Sequence, residues 1–210
     1  MPVLNKIAYF QNRRDEEPNR ELAKELAEAE DRVGVAEIAA NLSNEDANIQ
    51  SDCIKVLYEI GYIKPELIAD YTGDFLKLLR SRDNRLAWGG MLALSTAAHS
   101  QSGELYARRQ EILKAMQDGS VITVDNAVKT LAIVAAQKDE YGRTIFPDLL
   151  RHLQTCRPKD VAQHSESTLV AVNGENKEAF ISTLEKRMED LSISQAARVR
   201  KVIREARNKK

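Results

Sequence analysis

Two columns of apolar residues return along this chain at a fixed interval. Ile38, Phe75, Ile112 and Leu149 lie 37 residues apart at each step, and Leu42, Leu79, Met116 and Leu153 keep the same spacing. Their surroundings agree in character: FLKLL, ILKAM and LLRHL each read apolar, apolar, basic, variable, apolar. A third column, Leu57, Leu92, Leu131 and Leu169, advances by 35, 39 and 38 residues, so the corners vary in length while the segments between them do not. A repeat of roughly 35 to 45 residues built from two helices is the mark of an α-solenoid. One helical hairpin cannot bury its apolar face alone, so similar hairpins stack and share a core.

The period between these landmarks is helical. Leu22, Leu26 and Ala29 recur at three to four residues behind Pro18, a residue suited to a first helical turn. Ile49, Cys53, Val56, Leu57 and Ile60 form a further stripe, and the corner Ser81-Arg82-Asp83-Asn84 offers an N-cap for a helix over 85–98. Gly61, Gly142 and Gly174 each follow an apolar run and read as residues that end a helix in the left-handed conformation. No segment alternates with period two, and glycine and proline are few, so no sheet is expected. The expected architecture is all-α, one α-solenoid domain over 1–210, with helix pairs at about 2–31, 33–61, 65–99, 104–137, 144–172 and 175–208.

The stretches DANIQSDCIKVLYEIG (46–61) and DNRLAWGGMLALSTAA (83–98) resemble the second helices of HEAT repeats, with an aspartate at the corner and a polar or basic residue soon after. The Asp/Arg pair is intact only at Asp83 and Arg85, and Asp125 and Asp160 come near the corresponding place in later units. The resemblance, to the armadillo/HEAT superfamily, implies a right-handed superhelix with second helices lining a concave face. It also implies a binding scaffold.

Little in the chain points to chemistry. His99, His152 and His164 show no two members at metal-ligand spacing on one helix, and Cys53 and Cys156 are far apart. His164-Ser165-Glu166-Ser167 is polar, but neighbours on a helix point in different directions and cannot form one relay, so this stretch reads as a hydrated part of the concave face. Neither a catalytic residue, a metal nor a cofactor is predicted. The two thiols and the want of a membrane-length apolar run suggest a reducing, cytoplasmic setting with no membrane partner.

Aligning the second helices on their leucine column brings Lys55, Gly90, Lys129 and Ser167 to equivalent sites, with Arg85 about a turn earlier. Lys55, Arg85 and Lys129 then form a sparse basic ladder, and Trp88, beside Gly89-Gly90, is its one tryptophan anchor. The expectation is a non-enzymatic scaffold that binds a protein or peptide on this face. The alternative is a nucleic-acid-binding protein resembling the HEAT-like alkylpurine DNA glycosylases, and a lyase of the HEAT-like bilin-attachment type is a third. A net charge of −1 and 5% aromatic content fit the glycosylase reading poorly. Residues 15–31 are strongly acidic and 198–210 strongly basic, which suits polar end caps, a nucleic-acid-binding tail or head-to-tail pairing. Oligomeric state does not follow from the sequence.

Overall fold

The computed structural model describes residues 2–209. All regular structure among them is helical, and the chain forms two compact units, 1–126 and 127–210.

The first unit opens with a 3-10 turn, Val3–Lys6. It continues through α1 (Glu17–Glu28), α2 (Arg32–Ala40), α3 (Ala47–Ile63), α4 (Thr72–Leu78), α5 (Asn84–Ala97), α6 (Ser102–Ala107) and α7 (Arg109–Asp118) to the start of α8 (Val121–Ala135). The second unit holds the rest of α8 with α9 (Asp139–Thr155), α10 (Pro158–Thr168), α11 (Lys177–Arg187) and α12 (Ile193–Arg207).

The corners start these helices by N-capping, in which a side-chain oxygen takes one of the orphan first-turn N–H groups. Asp31 accepts from the N–H of Gly34, Asp46 from Asn48 and Asp83 from Arg85, the last at 2.7 Å. Asp125 and Asp160 do not repeat this role. Ser120 precedes α8 and accepts from Thr123 N–H, while Asp160 sits in the first turn of α10 and pairs with Arg157. Ser192 and Gln195 complete a reciprocal capping box on α12.

The repeat is visible in the packing. Ile38, Phe75, Ile112 and Leu149 are all fully buried. Gly89 packs on Ile54 and Thr96 on Gly61, both with a 35-residue offset, so α5 lies alongside α3 in the register that Leu57 and Leu92 predict. The same kind of step joins Asn19 to Asp52 and Arg80 to Glu111 in the first unit, and Leu153 to Arg187 and Glu166 to Arg198 in the second.

The glycine reading is corrected. Gly61 lies inside α3 and Gly142 inside the first turn of α9, and no described glycine has a positive φ. Gly61 is glycine for want of room: an added Cβ would stand 2.1 Å from Thr96 Oγ1 and 2.7 Å from Ile68 Cδ1. Gly89 and Gly90 follow the same logic, the first against Ile54 and the second 2.9 Å from the Phe75 carbonyl. They let α5 approach α3 and α4, and both are buried. Of the basic stretch 198–210, residue 210 lies outside the described residues, and residues 198–209 are likewise no loose tail. They form most of α12, whose Val199, Val202, Ile203 and Ala206 are buried while Arg198 and Arg207 pair with Glu166 and Glu185.

Candidate functional site

In the first unit the outer ends of α3 and α5 meet the segment 8–14. A cleft of about 850 Å³ lies there, lined by Tyr9, Phe10, Arg13 and Arg14 from the segment, Ser51 and Asp52 from α3, and Arg85 from α5. The segment is pinned by a polar relay. Asn19, fully buried on α1, accepts from the Ala8 N–H and donates to Asp52, which in turn accepts from the Tyr9 N–H at 2.7 Å. The chain then turns back through Asn12, which takes the left-handed conformation that asparagine tolerates, and Arg13 N–H closes the turn on the Ala8 carbonyl. The Tyr9 hydroxyl hydrogen-bonds Asp46, which raises the phenol above its ordinary range and lowers the carboxylate.

The charged side chains lining the cleft are three arginines and one aspartate. Both Asp52 oxygens are already engaged, and Arg13 pairs with Asp15. Arg14 and Arg85 have no carboxylate partner among the described residues, and both are exposed. Tyr9 and Phe10 stand edge to face at 5.1 Å with large exposed surfaces. One turn along α5 from Arg85, half-buried Trp88 leans on Tyr58 at 5.9 Å, and Tyr58 contacts exposed Tyr62.

The predicted ladder is only partly assembled. Arg85 and Trp88 share one end of α5. Lys55 is not an exposed rung: it is 7% accessible, held by Glu16 at 2.9 Å and Glu59 at 2.7 Å, and lies over the Tyr58 ring. Burial acts to lower its pKa, but its hydrogen bonds to Glu59, Tyr58 and Glu16 outweigh that and hold it above the ordinary lysine value. Lys129 is exposed on α8 and belongs to the second unit. The acidic stretch 15–31 is spent locally, with Glu25 on Lys6 and Glu30 on Lys64 as well as Glu16 on Lys55.

The second unit brings together a cluster that the sequence reading passed over. His152 and Cys156 lie one turn apart at the end of α9, His164 faces them from α10, and their ligating atoms all lie within 4.8 Å of one another. His164 and Ser165 are buried, while Glu166 is exposed and Ser167 half-buried, so only part of this stretch is hydrated. The available signal was the four-residue step from histidine to cysteine, lost by weighing the histidines and the cysteines separately.

No protein-family model matches the sequence, and no characterised protein matches it as a relative. Solved structures do match in shape. A designed armadillo repeat protein in complex with the peptide (KR)4 superimposes with a TM-score of 0.70 at 15% identity, over 89% of this chain and 86% of that one. A second designed armadillo repeat protein gives 0.69 at 15% over 97% and 98%. An engineered protein gives 0.67 at 18% over 99% and 97%. Among the described residues no helix is long and apolar enough to cross a membrane. With helices stacked at repeat-length offsets and neighbours of this kind, the chain has the armadillo/HEAT-like helical-repeat fold, an all-α solenoid class.

Proposed function

We propose that this chain is a non-enzymatic interaction scaffold whose cleft at the ends of α3 and α5 binds an acidic segment of a protein partner. The observation that carries the reading is the pair of unpartnered arginines, Arg14 and Arg85, set beside exposed Tyr9 and Phe10 on a pinned backbone. Arginine and aromatic side chains are the residues that dominate protein-binding hot spots, and a preordered site loses less entropy on binding. Trp88 extends the surface along α5, and Lys129, an exposed residue of the second unit, is a separate candidate contact.

The test is fluorescence anisotropy of a labelled peptide of mixed glutamate and tyrosine against the full chain. The expected result is saturable binding that weakens as salt rises. The double variant Arg14→Glu/Arg85→Glu, with an unchanged circular dichroism spectrum, should weaken it at least tenfold, the scale of about 1.4 kcal/mol. Peptide affinity indifferent to that double variant overturns the proposal. So does duplex DNA that competes for the same arginines with higher affinity.

A further inference from the structure

We propose that His152, Cys156 and His164 form a binding site for one divalent transition-metal ion of the Zn²⁺ class. His152 Nε2 and His164 Nδ1 already stand 2.9 Å apart, and the cysteine ligand atom lies within 4.8 Å of both. Zinc bonds of about 2.0–2.1 Å to nitrogen and 2.3 Å to sulfur put tetrahedral ligand atoms about 3.3–3.6 Å apart. The histidine pair stands slightly inside that spacing and no pair exceeds 4.8 Å, so side-chain rotations would close the shell.

Two further features mark a built site. Arg187, almost fully buried on α11, donates one guanidinium N–H to the Leu153 carbonyl at 2.5 Å and another to the Cys156 carbonyl at 2.8 Å, while its Nε engages Asp190. It fixes the turn of α9 that carries both His152 and Cys156, the kind of outer support that metal sites rely on. Thr168, one turn beyond His164 on the same face of α10, has a fully buried hydroxyl with no hydrogen-bond partner. A buried hydroxyl is ordinarily satisfied, and a water or hydroxide in the fourth position of a metal bound one turn away would satisfy this one.

Two imidazoles and a thiolate select borderline and soft ions such as Zn²⁺, Co²⁺ and Ni²⁺ over Mg²⁺ and Ca²⁺. On binding, the Cys156 thiol releases its proton to solvent. The ring that donates in the histidine pair keeps its proton by moving it to its other nitrogen. The His–His hydrogen bond is thereby exchanged for two nitrogen–metal bonds.

The experiment uses the full chain, tag removed, reduced and freed of metal by chelator dialysis, titrated with Co²⁺ as the spectroscopic probe. The expected result is one equivalent bound, with a thiolate-to-cobalt charge-transfer band and the visible bands of a four-coordinate ion, both bleached by one equivalent of Zn²⁺. Cys53→Ser keeps the spectrum. Cys156→Ser loses the charge-transfer band, and Cys156→Ser and His152→Ala each weaken binding at least tenfold. Zn²⁺, but not Mg²⁺, raises the melting temperature of the unaltered chain by mass action. No charge-transfer band at stoichiometric Co²⁺ overturns the proposal, and so does a band that survives Cys156→Ser. The spectrum of the unaltered chain decides the matter even where a variant fails to fold.

Discussion

Gly61→Ala separates two meanings of a buried glycine. If Gly61 ended a helix, alanine would be penalised by its own backbone and by nothing else. In the structure Gly61 is helical, and the obstacle is the neighbouring helix: a Cβ there falls 2.1 Å from Thr96 Oγ1, 2.7 Å from Ile68 Cδ1 and 2.9 Å from Thr96 Cβ. Thr96 cannot simply rotate away, because its hydroxyl is tied to the Ala93 carbonyl at 2.8 Å. Inserting a methyl into a full core costs about 1–3 kcal/mol. Contacts this short belong at the upper end, and the helix-propensity gain of alanine returns about 1 kcal/mol. The net is a loss of about 1–2 kcal/mol.

The assay is urea unfolding followed by Trp88 fluorescence, which reports on α5 and therefore on this contact. The midpoint should fall with the slope unchanged. Thr96→Ala alone loses one hydrogen bond, about 0.5–1.5 kcal/mol. It also removes the nearest atom, so the two changes together should be less damaging than their sum by about 1–2 kcal/mol, a coupling of the size seen for residues in contact. The Cβ of residue 96 remains close, so recovery is partial. A neutral or stabilising Gly61→Ala, or strict additivity with Thr96→Ala, would refute the reasoning.

Three other outcomes follow from the same packing. Phe75→Ala empties a fully buried position of the repeat column and should cost about 3–5 kcal/mol, read as a lower urea midpoint of the Trp88 signal. Burial pushes the Cys53 thiol up to about 12 from an ordinary value near 9, with Asp52 and Glu37 adding to it. Its contribution is whole below pH 9 and declines as pH rises through the interval to 12, by at most about 1.4 kcal/mol per unit, so the urea midpoint should fall above pH 9, and less so in Cys53→Ala. Arg187→Met leaves the Leu153 and Cys156 carbonyls without their charged donor and should destabilise the second unit by about 2–4 kcal/mol, seen as earlier loss of helical circular dichroism in urea.

The repeat was legible because burial at one turn of a helix needs no knowledge of the neighbour. Phe75 and Leu149 had to be apolar wherever the next hairpin lay, and they recur at an interval that the packing then uses as its offset. Asp83 was legible for the same local reason: an N-cap serves the helix that follows it at once. The glycines were misread because a helix end and a close helix contact leave the same residue. Only the position of Thr96 tells them apart.

Charge was the least legible property, and the reason is physical. A lysine at a repeat position looks like a free cation until its counter-ions are known, and those of Lys55 come from one turn along α3 and from Glu16 ahead of α1. Two partners within 3 Å turn a candidate contact residue into part of the framework. Arg85, on the neighbouring helix, lines the same cleft as Asp52, whose oxygens accept from Tyr9 and Asn19. Its charge stays unspent. Lys55 and Arg85 thus differ in that two carboxylates hold the lysine and none among the described residues holds the arginine. Asp52 itself is held through buried Asn19, 33 residues away, a separation of about one repeat. Contacts made across a repeat step thus decide which side chains are fixed in the framework.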